Sequence, residues 1–91
     1  MLNEEERTIA KTVSAVVGAN LEDAFRSPME WDEKYGKDSQ LILIHDGGAL
    51  APYCSLDYED YDLVEELVVA LANIGYYSEQ CTSWYSAVYK S

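Results

Sequence analysis

Apolar residues recur at intervals of three and four near the start of the chain, and this period predicts an amphipathic helix. Asn3 stands before the stripe and Glu6 follows three residues later, which predicts an N-cap and its capping-box partner. Because Gly18 interrupts the stripe, we expect either one long helix or a helix with a break near Gly18. The stripe consists of Ile9, Val13, Val16, Val17, Leu21 and Ala24.

A second helix start follows in the sequence. Ser27 can cap a helix, and Pro28 suits the first helical position because its missing N–H costs nothing there. Glu30 can then reach back to the cap. We therefore predict a short helix that runs to Tyr35 and is closed by Gly36.

A continuous apolar run at residues 41–44 predicts a buried strand, and the following Asp46-Gly47-Gly48 predicts a tight turn. We expect a second strand, from Ala49 to about Ser55, to pair back on the first. Pro52 has no backbone N–H for a strand ladder, so this second strand should lie at a sheet edge or contain an irregularity.

The clearest helical pattern precedes Gly75, which favours the left-handed conformation that ends a helix. A turn of about 100° per residue places Glu59, Asp62 and Glu66 on the solvent side. The predicted buried positions are Tyr61, Val64, Leu67, Val68, Leu71 and Ile74.

Residues 76–80 and 84–89 then predict two strands around a turn at residues 81–83. The resulting order is α-β-β-α-β-β, with a short extra helix before the first strand. This order is typical of a small α+β domain in which helices cover one face of an antiparallel sheet of about four strands. We expect residues 1–91 to form a single domain.

The charge of the chain is one-sided. Apolar residues make up 48% of the sequence, enough to pack a core, so the net charge of −11 belongs to a folded protein and not to a disordered tail. No Lys or Arg occurs from Asp38 to Tyr89, whereas nine carboxylates do. Solubility does not require the loss of all counter-charges over most of a fold, so the asymmetry indicates a positively charged partner.

The acids are densest at the start of the later helix. Carboxylates three and four residues apart on a helix stand about 5 to 6 Å from one another, a spacing comparable to that of nucleic-acid phosphates. The candidate partner-binding residues are Asp57, Tyr58, Glu59, Asp60, Asp62, Glu65 and Glu66, with Glu79 and Asp46 as extensions of the surface.

A structural explanation competes with this one, because acids in a first helical turn stabilise the helix dipole by about 0.3 to 1 kcal/mol each. It accounts well for Asp57, Glu59 and Asp60. It accounts less well for Asp62, Glu65 and Glu66, since an ordinary solvated helix face would place Lys or Arg four residues further on.

Eight tyrosines are more than so small a core hides, so several should be exposed. Tyr58 and Tyr61 lie among the acids, where their rings could stack on Arg guanidinium groups of a partner. The alternative is that Tyr61 and the strand tyrosines are half-buried core residues.

The sequence gives no support for catalysis, a cofactor or a metal. His45 is the only histidine, and a pairing with Cys54 or Cys81 as nucleophile and base is a weak signal. We expect both cysteines to be reduced thiols. The spacing of the acids fails the calcium-loop pattern, because Val68 stands where that pattern needs a bidentate Glu.

Two further classes of function are disfavoured. Six basic residues against 17 acidic ones would repel phosphates, which argues against direct nucleic-acid binding. The chain shows no secretory leader and no apolar run of about 18 residues, so we expect a cytoplasmic protein with no membrane contact.

A compact, acidic, tyrosine-rich chain without a catalytic motif resembles the small anti-CRISPR and anti-restriction proteins with which phages and mobile elements imitate DNA. The resemblance is in charge and size, and it is clearest at residues 57–66. It implies an inhibitor whose acidic face occupies a channel lined by Lys and Arg and so keeps DNA out. The implied partner is a basic nucleic-acid-binding protein such as a CRISPR effector complex or a restriction enzyme.

Two alternatives use the same composition. A small acidic protein-binding module, or an antitoxin-like partner of a basic protein, would rely on the same electrostatics. An ordinary halophilic domain would also be acidic, although its acids should be spread evenly along the chain. Such a domain should lose structure at low salt, whereas a mimic should stay folded there and bind its partner more tightly.

Overall fold

The computed structural model describes residues 2–91, without the side chain of Glu22, as one α+β domain. The α+β class expected from the sequence is confirmed. Three short 3₁₀ turns connect the main elements, at Glu22–Ala24, Pro28–Glu30 and Leu56–Tyr58. The main elements are α1 (Glu4–Val17), β1 (Phe25–Arg26), β2 (Leu41–Ile44), α2 (Ala51–Cys54), α3 (Tyr61–Asn73), β3 (Tyr76–Gln80) and β4 (Tyr85–Lys90).

The four strands form one antiparallel sheet in the order β1-β2-β4-β3. The central strand β2 has neighbours on both sides, with Leu43 opposite Phe25 of β1 and Ser86 of β4. Strand β3 forms one edge of the sheet and is the partner of β4. The continuous apolar run of β2 is therefore explained by burial on both of its faces.

Each face of the sheet has its own hydrophobic cluster. On one face α1 and α3 supply Ile9, Val13, Leu67 and Leu71, which pack with Leu41, Leu43 and Val88. On the other face the segment after β1 supplies Trp31, which packs with Ile42, Trp84, Tyr85 and Ala87. The sequence predicted helices on one face of the sheet only. The structure shows that the other face is also covered, by the irregular segment around Trp31.

Helix α1 begins as the sequence predicted. The side chain of Asn3 accepts a hydrogen bond from the Glu6 N–H at 2.7 Å, and the Glu6 carboxylate accepts one from the Asn3 N–H at 2.8 Å. This reciprocal pair is a capping box, and it satisfies two donors that the first helical turn leaves open. The helix ends at Gly18, which has a φ of 74°, so the chain breaks there and does not continue as one long helix.

The strand predicted from Ala49 to about Ser55 is wrong, because residues 51–54 form the short helix α2. Both edges of β2 are already paired with β1 and β4, so no place is left for a hairpin partner. Pro52 lies in the first turn of α2, where its missing N–H removes no hydrogen bond. The buried side chains of Ala51 and Cys54 fix the helix against the core.

The short helix predicted to run to Tyr35 is also wrong, since only a 3₁₀ turn at Pro28–Glu30 forms. The Ser27 side chain makes no cap and instead donates its hydroxyl to the Glu6 carboxylate at 3.0 Å. Beyond the turn, the Tyr85 hydroxyl donates to the Tyr35 carbonyl and accepts from the Tyr35 N–H, at 3.1 and 3.3 Å. These two hydrogen bonds hold the segment around Tyr35 against the sheet, and they replace the hydrogen bonds that a helix would have formed.

The buried stripe of α3 is narrower than its sequence pattern. Leu67 and Leu71 are buried, but Tyr61, Val68 and Ile74, which were expected in the core, are exposed. The helix packs on α1, α2 and β3, and one flank of its apolar stripe remains in solvent. Apolar spacing alone does not show this exposure, because it fixes the period of a helix and not its neighbours.

A substitution at Gly36 tests how closely the segment around this residue packs on the sheet. Gly36 has a φ of 95°, and a Cβ placed there would lie 2.7 Å from Cδ1 of Ile42. We expect Gly36→Ala to lower the free energy of unfolding by about 2 to 4 kcal/mol, from backbone strain together with overpacking. The measurement is urea-induced unfolding followed by tryptophan fluorescence.

Gly18→Ala is the matched control, because Gly18 also has a positive φ but has nothing within 4 Å of the added Cβ. It should lower the free energy of unfolding by only about 1 kcal/mol, because backbone strain is then the sole cause of the loss. Equal losses in the two variants would show that the segment does not press on Ile42.

Candidate acidic interface

Three carboxylates of α3 share one side of the helix. Asp62, Glu65 and Glu66 are all exposed, and their spacings of three and four residues bring them onto one face. This face borders a groove between α1 and α3, which we call the α1–α3 groove. The groove is lined by Ala15, Val16, Asp62, Glu65, Glu66, Val69, Ala70 and Asn73.

The two helices of the groove run in opposite directions. The Tyr76 hydroxyl, just after α3, donates to the Glu5 carboxylate at the start of α1 at 2.6 Å. This hydrogen bond, with the charge of Glu5, raises the pKa of Tyr76. The end of α3 is thus tied to the start of α1, and the acidic start of α3 lies beside Ala15 and Val16 at the end of α1.

Residues 57–60 bring the remaining acids of the cluster to the start of α3. The Ser55 hydroxyl accepts a hydrogen bond from the Asp57 N–H at 3.3 Å and begins the 3₁₀ turn. Glu59 then adopts a left-handed backbone with a φ of 55°. Asp60 precedes α3, but its side chain makes no cap hydrogen bond, so this carboxylate does not serve the helix as a capping group.

The acids of this cluster have no basic partner among the described residues. None of the eight candidate carboxylates, which are Asp57, Glu59, Asp60, Asp62, Glu65, Glu66, Glu79 and Asp46, forms an ion pair within the part of the chain that the structure describes. The ion pair seen there joins Lys90 and Glu5, at 3.9 Å and on the surface. Acidic side chains of residues 57–66 therefore remain available to a partner.

The other basic residues have different surroundings. Arg7 donates to the Leu2 carbonyl, and Arg26 donates to the carbonyls of Asp23 and Phe25. Lys34 lies 5.3 Å from the centre of the Tyr35 ring. The exposed acids of α3 are thus not covered by cations folded over from the first part of the chain.

Glu79 and Asp46 do not extend the α3 face. Glu79 is exposed on β3 and points to the side of the sheet that faces away from the helices, the side where Tyr77 stacks on Tyr89 at 5.6 Å. Asp46 follows β2 and lines a separate cavity with Asp23. The sequence placed all nine residues in one surface, and the fold brings together those from 57 to 66.

Glu79 nevertheless adds to the negative potential of the far side of the sheet. Burial, with the charges of Asp38 and Glu79, raises the pKa of Tyr89 to about 12. The same three causes, with burial the largest, raise the pKa of the Cys81 thiol. Both shifts reflect a surface on which a further negative charge is unfavourable.

Several tyrosines are exposed, as expected. Tyr61 is 62% exposed and Tyr58 is 53% exposed, and both stand among the acids of residues 57–66. The alternative that Tyr61 is a half-buried core residue is therefore wrong. Tyr85, in contrast, is buried in the sheet, whereas Tyr77 on β3 is exposed, so the strand tyrosines differ in their burial.

The apolar members of the α1–α3 groove were not found from the sequence. Ala15, Val16 and Val69 become neighbours only when the two helices pack. One signal was present in the pattern, because Val69 is a β-branched apolar residue on the acidic side of α3. It is 51% exposed, although an exposed Val contributes little to a helix.

The surroundings of His45 do not support a role as a catalytic base. Its Nε2 lies 2.9 Å from the Ser86 hydroxyl, and its Nδ1 has no partner among the described residues. Both side chains are only 1% exposed, so a substrate cannot reach them. Burial lowers the pKa of His45, which keeps the ring neutral at neutral pH.

The two cysteines are free thiols of low reactivity. Burial raises the pKa of Cys54 to about 12, and the pKa of Cys81 is raised as described above. A thiol with a raised pKa provides very little thiolate at neutral pH, and thiolate is the reactive form.

Comparison with protein-family models, curated proteins and solved structures finds no match to this chain. Among the described residues, no group of three or more His, Cys, Asp and Glu side chains is arranged to hold a metal ion. Within residues 2–91 every helix is too short or too polar to cross a membrane.

The buried His45 gives a pH dependence of known sign. Below its ordinary pKa of 6.5 the unfolded chain binds a proton at His45 that the folded chain does not. Stability should therefore fall, by about 1.4 kcal/mol per pH unit, from pH 6.5 down to the lowered folded pKa. The variant His45→Gln lacks this pH dependence but keeps every carboxylate of the chain, so the carboxylates contribute equally to the pH dependence of both proteins.

The check is urea unfolding of both proteins between about pH 7.5 and about pH 5.5. The gap between their unfolding free energies should narrow towards acid pH. A constant gap would show that His45 takes up its proton equally in the folded and unfolded chains.

Glu59 gives a second prediction, because a left-handed backbone is costly for Glu and easier for Asn. Glu59→Asn should leave the unfolding free energy unchanged or raise it by up to about 1 kcal/mol in urea unfolding. Such a result would mean that the fold does not need this carboxylate. A loss of stability would instead reveal a structural role for the Glu59 side chain.

Proposed function

We propose that this protein is an inhibitor, encoded by a phage or mobile element, that binds the basic nucleic-acid-binding surface of a host defence complex. In this proposal it acts in the host cytoplasm without catalysis, and its acidic face takes the place of DNA phosphates. The partner is a protein such as a CRISPR effector complex or a restriction enzyme.

One observation supports this proposal above the others. Asp62, Glu65 and Glu66 stand together on one exposed helix face, and none of them forms an ion pair with a described residue. Carboxylates at such spacings lie about 5 to 6 Å apart, and residues 57–60 add further acids at the start of the same helix. A groove that binds phosphates presents Lys and Arg at similar intervals, so the two surfaces are complementary.

The arrangement also carries a cost that binding relieves. Like charges three or four residues apart destabilise a helix by about 0.2 to 0.5 kcal/mol per pair. Asp62 repels both Glu65 and Glu66 in this way, and only Asp62 lies in the first turn where the helix dipole offsets the charge. A basic partner removes the repulsion, which favours a role in binding over a role in the fold.

A second candidate function, a small acidic protein-binding module of the antitoxin type, is favoured by the apolar groups beside the acids. Val69 and Tyr61 are exposed there, and phosphate mimicry alone does not need them. The two functions differ in whether the partner's bound surface is the one that holds nucleic acid. Release of the captured partner by duplex DNA tells them apart.

The test is a double charge reversal, Asp62→Lys with Glu66→Lys. Folding should survive, because the lost dipole interaction at Asp62 is small and the like-charge repulsion is relieved. Partners captured from bacterial lysate at low salt should bind more than about tenfold more weakly. The captured proteins should also lose DNA binding when the unmodified protein is added in a mobility-shift assay.

Asp32→Lys with Glu33→Lys is the control, because it changes the net charge equally at two exposed residues outside the cluster. This variant should keep most of the affinity and the inhibition. Equal losses in both variants would mean that only net charge matters. Unchanged inhibition after reversal of Asp62 and Glu66 would remove the α3 face from the mechanism.

A further inference from the structure

We infer that the α1–α3 groove is a binding site for one basic amphipathic helix of the partner. This inference rests on the proposed function and specifies the shape of the partner's surface. The occupant would place an apolar stripe along the groove and Lys or Arg residues against its acidic border.

The groove has an apolar component that phosphate mimicry does not require. Ala15 and Val16 of α1 line the groove together with Val69 and Ala70 of α3. Val69 is 51% exposed, so its side chain still has apolar area to bury. Small alanine side chains on both helices let a third helix approach closely, as ridges of side chains fit into grooves.

The charges that line the groove all have one sign. Asp62, Glu65 and Glu66 contribute three carboxylates, and the described residues that line the groove include no Lys or Arg. Asn73 adds an amide towards the other end. An occupant with an apolar stripe must therefore also carry positive charge on its flanks, because an acidic helix would be repelled and a neutral one would leave the carboxylates without partners.

The dimensions fit a helix. Asp62, Glu66, Val69 and Asn73 follow one another at spacings of four, three and four residues along α3, so the line that they form is about 16 Å long. About three turns of a partner helix cover that distance. Anchors at every third or fourth residue are the pattern by which amphipathic helices bind in grooves.

The probe is a synthetic basic peptide of about 18 residues, with Leu at helical spacing and Lys or Arg on the flanks. A scrambled peptide of the same composition has the same charge but no apolar stripe. Fluorescence anisotropy with the full chain should show that the amphipathic peptide binds at least about tenfold more tightly than the scrambled one. Equal affinities would overturn the inference.

Val69→Ser tests the apolar contact, and Val68→Ser is its matched control. The two valines are adjacent and similarly exposed, at 51% and 46%, but only Val69 lines the groove. We expect Val69→Ser to weaken binding of the amphipathic peptide about tenfold and Val68→Ser to change it less than about twofold. Circular dichroism checks that both variants keep the fold, and a larger loss with Val68→Ser would place the apolar contact outside the groove.

The outcome separates this inference from the proposed function. If both peptides bind equally and both lose affinity with the reversal of Asp62 and Glu66, the acidic surface binds basic partners without the groove, and the inference fails while the proposed function stands. If the amphipathic peptide is preferred but captured proteins are not released by duplex DNA, the groove stands and the DNA-mimic function fails.

Discussion

The burial of β2 and β4 on both faces is the constraint on which the structure depends. Leu41, Ile42 and Leu43 have no access to solvent, and neither have Ala87 and Val88 opposite them. A central strand pair of this kind needs a covering layer on each side. In this short chain α1 and α3 form one layer and the irregular segment around Trp31 forms the other.

This constraint decides where the charge lies. With both sheet faces covered by apolar side chains, the carboxylates of α3 lie on the outer surface of that helix, where water stabilises them. Glu6 and His45 are ionisable residues in the interior, and each makes at least one hydrogen bond there. The fold therefore tolerates a net charge of −11, since its stability comes mainly from apolar burial and an exposed ion pair such as Lys90–Glu5 contributes little.

Glu6 connects the two covering layers. One of its oxygens accepts from the Asn3 N–H in the capping box, and the other accepts from the Ser27 hydroxyl at 3.0 Å. It is buried, so each of these bonds replaces a contact with water that burial removed. The start of α1 is thereby joined to the segment that crosses to the second face of the sheet, and a local cap signal becomes a tertiary contact.

The sequence by itself determined those features that depend on neighbours in the chain. The capping box of α1, the apolar strand at residues 41–44 and the last two strands were all predictable, because each rests on spacing or on a capping residue. At Gly18 the sequence left both one long helix and a broken helix open, and the structure shows the break. The exposure of Glu59, Asp62 and Glu66 also followed from the helical period, whereas Tyr61 was expected in the core and is exposed.

Only the tertiary structure decided the partners of these elements. The pairing of β2 with β1 and β4 turned the expected strand at residues 49–55 into α2, because a strand with two neighbours has no free edge. The packing of α3 on α1, α2 and β3 left Val68 and Val69 exposed, and its place beside α1 created the groove, since a helical period does not state which elements will lie beside a helix. Contacts between residues far apart in the chain depend on how the elements pack and on which side chains they bury. The pattern of apolar and polar residues along the sequence contains neither kind of information.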